Sequence, residues 1–351
     1  MKNSLFFICI LLLASCSSVY RFTIEVQEPA PVTLPPDIVN ILVVNNSVPQ
    51  PGDAGINRIF QEKPIEGLEL NLDSLASIAT VSLASGLQTS RFFNQVLTSP
   101  VSLRNDSDWM SKMPLPETFK SETFNTHGFD GIISIDRILI QLNLQMSNSL
   151  YANFNIYGSI VCSIYTYGRN KPLASFAVSD SLSYATPVWG DTVEIFKELP
   201  ESLLEYFASA IGEQLSRHII PAWSEKERFL YSGSQSRMHE AFRFAQKNNW
   251  NQSINLWKNE YARVSQAQEK GELASNLAVA YEMQDQLDTA LQWAITAQNH
   301  FGENERESVS AKNTRINTYV NELRQRIIDN YLLDLQWGVS GKSSGESDLN
   351  Q

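Results

Sequence analysis

One thiol near the start of the chain carries the strongest chemical signal in the sequence. Met1-Lys2-Asn3-Ser4 brings one positive charge, about ten apolar residues run from Leu5 to Ala14, and Ser15-Cys16 follows. A bilayer-spanning helix needs about 20 apolar residues, whereas a basic start before roughly 7–15 of them makes a secretion signal. A sulfur nucleophile can form a thioether to a lipid, and the small Ala14 and Ser15 fit a narrow peptidase pocket. The remaining reactive residues form no such pattern. His127, His218, His239 and His300 all lie more than four positions apart, so the His-Glu-x-x-His zinc helix is absent. Ser232-Gly233-Ser234 has no general base beside it in sequence. Asp130 precedes Gly131 at the start of a strand, where Asp-Gly makes a turn or bend. Asp180 and Asp191 read as polar positions near strand ends. After Cys9 and Cys16, only Cys162 remains, in a strand-like stretch that favours a buried core thiol. No intrachain disulfide, metal or cofactor is expected.

The Leu13-Ala14-Ser15-Cys16 run resembles the bacterial lipobox. That resemblance implies cleavage before Cys16, a diacylglyceryl group on its thiol, and acylation (palmitate, for example) of the new amino end. Two or more acyl chains anchor firmly, where one binds marginally. By the same resemblance, Ser17 and Ser18 in place of Asp imply the outer membrane. The lack of an acidic run after Cys16 implies a periplasm-facing anchor.

Removal of residues 1–15 leaves 336 residues, enough for two ordinary domains. The hydrophobic fraction of 43% supports packed cores. The net charge of −11 is not interrupted by a Lys/Arg cluster, so phosphate neutralisation and nucleic-acid binding are not expected.

The elements that would position a site fall into two textures. Residues 16–37, with Pro29, Pro31, Pro35 and Pro36, read as a lipidated tether with one short strand at Arg21–Val26. Residues 38–225 read as an α/β domain with a mixed sheet. Ile38–Val44 is a buried strand, Asp73 caps a helix running to about Phe93, and strands follow at Phe93–Leu97 and from Phe129 through Ile140. A short helix starts at Glu117. Tyr151–Tyr167 and Leu173–Val178 make a long hairpin about Gly168, and Pro200 opens a helix to about Ile219. The element order is similar to that of the periplasmic domains of the curli secretion channel and related lipoproteins.

Residues 234–337 change texture to Ala-rich helix, and residues 338–351 read as a disordered tail. Two segments align at a constant offset of 37 residues. Ala241-Phe242-Arg243-Phe244, Asn249-Trp250, Ser253-Ile254 and Trp257 match Ala278-Val279-Ala280-Tyr281, Gln286-Leu287, Ala290-Leu291 and Ala294. They resemble the tetratricopeptide repeat, a helix–turn–helix of about 34 residues. Small residues at Ala278 and Ala290 allow close helix approach, and Trp250, Trp257 and Trp293 read as core. The lipobox, tether, α/β domain and Trp-rich helices together resemble a DUF6340-like family of Bacteroidetes lipoproteins of unknown function. Trp250, Trp257, Asn276, Ala278 and Ala290 are the residues carried over.

The expectation is therefore a membrane-anchored, non-enzymatic envelope lipoprotein with an α/β domain and an all-α, tetratricopeptide-like domain. The latter would bind a protein or peptide partner. By the repeat's spacing, Phe242 and Gln246 in the first copy and Ser275, Val279 and Glu282 in the second would line a concave groove. An oligomeric assembly or secretion component is the alternative, and an unrecognised hydrolase the third reading.

Overall fold

In a computed structural model, residues 19–60, 63–64, 70–146, 151–187, 192–233, 236–302 and 311–338 are described. The leader, Cys16, Asp191, Ser234 and the tail from residue 339 lie outside the described residues. The chain forms two compact units, one inserted in the sequence of the other. Residues up to Pro29 join Trp223–Asp334, while Ala30–Ala222 group with Leu335–Gln351.

The inserted unit is a mixed sheet backed by helices. Its strands are β2 (Asn40–Asn45), β3 (Ile56–Phe60), β4 (Lys63–Pro64), β5 (Gln95–Ser102), β6 (Gly131–Met146), β7 (Tyr151–Thr166) and β8 (Ala174–Pro187). The order β4-β3-β6-β2-β5 continues from β6 to β7 and then β8. β2 pairs in parallel with β5 and β6, and β3 pairs in parallel with β6; β6, β7 and β8 form an antiparallel meander. Ile41, Val43, Ile133, Ile135, Ile160, Cys162 and Ile164 are buried in one core, each apolar side chain contributing up to about 1.5–3 kcal/mol. Helices α1 (Leu75–Thr89) and α3 (Thr192–Ser216) close this face. They cross closely because the contact is small: a Cβ on Gly212 would sit 2.5 Å from the Ala79 carbonyl oxygen, and the Ser82 and Ser209 hydroxyls bond at 2.9 Å. A smaller cluster of Val44, Leu115, Ile132 and Tyr165 lies apart from that core, with Phe119 and Phe124 of α2 (Glu117–Asn125) packed on it.

The sequence placed these elements well and some of their ends poorly. Helix α1 starts at Leu75 after Ser74, not on an Asp73 cap, and stops four residues before Phe93. Helix α3 begins at Thr192 and runs through Pro200. A proline lacks an N–H and costs one helical hydrogen bond; here it marks no boundary. Asp180 lies in the middle of β8 and not near its end.

Among the described residues, the other unit combines five helices with two strands. The helices are α4 (Ser236–Ala245), α5 (Trp250–Tyr261), α6 (Ala267–Glu282), α7 (Leu287–Gly302) and α8 (Ala311–Gln336, whose last two residues group with the sheet unit). β1 (Val19–Glu28) pairs with β9 (Ala222–Tyr231) in a two-stranded sheet. Residues 19–28, read from sequence as tether apart from the short strand at Arg21–Val26, are thus strand throughout, held by β9 and by ion pairs from Arg21 to Glu227 and from Lys226 to Glu28.

The α4–α5 and α6–α7 hairpins turn alike. Asn248 and Asp285 both take positive φ, 58° and 57°. Asn249 N–H bonds the Phe244 carbonyl at 2.9 Å, and 37 residues on, Gln286 N–H bonds the Tyr281 carbonyl at 2.9 Å. Where the second hairpin has Ala290, Ser253 donates its hydroxyl to the Ala241 carbonyl at 2.8 Å. Helix α6 is central, buried from Gly271 to Glu282. Among the described residues, no helix is long and apolar enough to cross a membrane.

Candidate functional site

The five residues nominated for a partner groove meet different fates. Ser275 and Val279, one turn apart on α6, line a single recess. Phe242 packs edge-on against Tyr20 of β1, ring centroids 5.5 Å apart. Gln246 is exposed just beyond α4. Glu282 does not face solvent: its side chain is 0% exposed.

Glu282 is covered by the chain's own strand. β9 places Arg228 beside it, with Nε donating to Oε2 at 2.6 Å and Nη2 to Oε1 at 2.7 Å. Arg326 Nη1 reaches Oε1 at 2.6 Å, and the Tyr319 hydroxyl donates to Oε2 at 2.8 Å. Arg228 also bonds Glu322 at 2.6 Å and lies over the Tyr319 ring at 4.8 Å. A buried charge survives only when paired and hydrogen-bonded. Burial alone would raise the Glu282 pKa, but Arg228, Tyr319 and Arg326 outweigh it and hold the carboxyl below its ordinary range. Burial pushes the Tyr319 phenol well up, and the neighbouring carboxylate adds to it.

Asn276 completes the attachment of β9. Its Oδ1 accepts the Tyr231 N–H at 2.8 Å, and its Nδ2 donates to the Tyr231 carbonyl at 2.7 Å. One amide side chain thus satisfies both backbone groups of a buried strand residue. The face of α6 that repeat spacing assigns to a partner is therefore largely occupied by an extended segment of the same chain.

Between β9, α6 and α8 a recess of about 190 Å³ remains. Ser275 and Val279 line it together with Phe229 and Tyr231 from β9 and Arg315, Ile316 and Tyr319 from α8. Ligand pockets commonly span about 300–1,000 Å³, so the space suits one inserted side chain or a molecule of ring size. Its lining is mainly apolar, with hydroxyls from Thr314 and Thr318 and the Arg315 guanidinium stacked on Phe229 at 5.0 Å.

The sheet unit holds a second polar cluster, at a bulge in β6 between Ile135 and Arg137. There Asp136, 2% exposed, accepts the hydroxyls of Ser134 at 2.7 Å and Ser163 at 2.5 Å. Burial raises its pKa, against the opposing hydrogen bonds. Asp130 accepts the backbone N–H of Val39 and Asn40, the latter at 2.8 Å, and so ties β2 to β6. Cys162 is buried, its thiol pushed well up by desolvation. His218 stacks on Phe176, and His300 bonds the Tyr261 hydroxyl at 2.8 Å. His127 and His239 are exposed. Among the described residues, no three His, Cys, Asp or Glu cluster as a metal site would.

Residues 38–231 match a domain of unknown function (DUF8603), more than half of the chain, and residues 239–325 match a second domain of unknown function (DUF6340). The DUF6340 likeness read over nearly the whole chain thus narrows to the helices, and a different family covers the sheet unit and β9. No curated protein matches. Among solved structures, a Xanthomonas campestris protein described with family DUF330 is 12% identical, covering 55% of this chain and 89% of that one, TM-score 0.27. A minor lipoprotein from Acinetobacter baumannii is 13% identical, covering 53% and 97%, TM-score 0.25. Scores this low do not establish a shared fold.

Proposed function

The chain belongs to the family of the domain of unknown function DUF8603, and we propose that it is a lipid-anchored protein of the bacterial envelope that binds a partner protein without catalysing a reaction. The lipid sits on Cys16, in the outer membrane and facing the periplasm. The helical unit is of the tetratricopeptide type, in the manner of a Bacteroidetes lipoprotein. The observation that carries the binding reading is the recess itself. Two positions nominated by repeat spacing, Ser275 and Val279, converge there with residues of β9 and α8.

The test has two parts. Cys16→Ala should release the protein from the membrane fraction and abolish labelling by a fatty-acid probe. A photo-crosslinking residue at Thr318, on the recess lining, should capture one envelope protein from intact cells. Capture of nothing, with the protein folded and at the membrane, refutes the binding reading.

A second reading, an oligomeric assembly component, draws on β8. This strand forms one edge of the seven-stranded sheet, is largely exposed over 14 residues and carries one charge, Asp180. Such an edge suits strand addition. A strictly monomeric protein in native membranes would eliminate it.

A further inference from the structure

The recess has a chemistry of its own. Its floor is apolar: Val279 is 1% exposed and Ile316 3%. Phe229 flanks it. The charges around it are already matched, Arg228 by Glu282 and Glu322, and Glu227 by Arg21. Arg315 differs. It lies over the Phe229 ring and hydrogen-bonds the Tyr231 hydroxyl, both uncharged partners. It is half-buried at the mouth, in a chain whose net charge is −11, so a cation there is not a general property of the surface. A guanidinium stacked on an aromatic ring is pre-oriented for a planar anion, and Thr314 and Thr318 add hydroxyl donors beside it.

We propose that the recess binds a carboxylate attached to a small apolar body. The apolar part sits on Val279, Ile316 and Phe229, and the carboxylate pairs with Arg315. The size of the space limits the body to about one ring or a short acyl chain. The same chemistry is offered by a free aryl or acyl carboxylate and by an apolar residue next to an acidic one on a partner. This inference rests on the recess being a binding site.

Titration of the purified mature chain with 3-phenylpropionate, its neutral amide, and the blocked peptides Ala-Phe-Asp-Ala and Ala-Phe-Asn-Ala, followed by NMR shifts, separates the sources. At least one acid should bind about tenfold or more tightly than its amide; which acid does so identifies the source. Arg315→Gln should erase the preference, Arg315→Lys should retain part of it, and Val279→Trp, which fills the floor, should abolish binding. Equal affinity for acid and amide, indifference to Arg315→Gln, or no binding at millimolar concentration overturns the inference. If the peptide acid is the one that binds, partner capture through Thr318 that survives Arg315→Gln would overturn the inference too while leaving the binding reading intact.

Discussion

Replacing Glu282 by Gln tests whether the buried charge network holds β9 to the helices. The substitution keeps volume and one acceptor but removes the charge. Arg228, 2% exposed, keeps only Glu322, whose side chain is 35% exposed, and Arg326 loses its buried partner. Breaking a buried pair by removing one partner costs about 3–5 kcal/mol. At about 2–8 °C per kcal/mol for domains of roughly this size, melting of the helical unit should fall by at least about 6 °C. The pH dependence has a definite sign. The unfolded carboxyl takes up its proton near about 4.3, the folded one at lower pH. Between those values the unfolded state binds more protons, so the stability contributed by Glu282 is full above the ordinary carboxylate range and is lost as pH falls through the folded value. Calorimetry of wild type and Glu282→Gln from pH 7 to pH 3 should show the gap closing in acid. A loss below about 1 kcal/mol at pH 7, typical of surface pairs, would refute this account. Charge reversal at Glu282 should unfold this region, and so cannot serve as a probe of partner binding.

Asn276→Leu should leave the Tyr231 N–H and carbonyl buried without partners, costing about 2–4 kcal/mol; unchanged amide exchange at Tyr231 would contradict this. Asp136→Asn should stabilise the sheet unit at pH 7. The folded pKa of Asp136 is raised, so its ionisation costs stability as pH rises from the unfolded carboxylate range through the folded value; urea titrations at pH 3 and pH 8 should show this cost in wild type and not in the variant. Gly212→Ala puts a methyl 2.5 Å from the Ala79 carbonyl oxygen and should cost about 1–3 kcal/mol. Gly128→Ala meets nothing within 4 Å but must hold φ +69°, so its cost is backbone strain alone and should be about 1 kcal/mol; a smaller melting loss for Gly212→Ala than for Gly128→Ala would contradict the packing account.

What was legible in the sequence was what burial writes as pattern. Ile41, Val43, Ile133 and Ile135 sit in β-branched runs, and the mixed sheet followed from them. The repeat offset was legible because turn geometry recurs with it at Asn248 and Asp285. β9 was not read as a strand, since Glu225, Lys226, Glu227 and Arg228 interrupt any apolar run. The signal was present as alternation: Arg228 and Leu230 are buried while Trp223, Glu225 and Glu227 are exposed. Glu282 was assigned to an open groove because helical spacing gives the face of a residue and not what covers it. Ser275 and Val279 share that face and still border open space, because β9 passes beside them.

The pairing of β1 with β9 also fixes a schedule. β1 is made early, but its partner strand begins only at Ala222. At about 5–20 residues per second, the roughly 190 residues between them take about 10–40 s to synthesise. The first strand must therefore wait, unpaired, while the whole inserted sheet unit is synthesised and has time to fold. Closing so long a loop costs little more than closing a shorter one, so the delay is one of time and not of stability. A holdase acting on the nascent chain would find Val19–Glu28 without its partner strand, and the helices would complete their packing last.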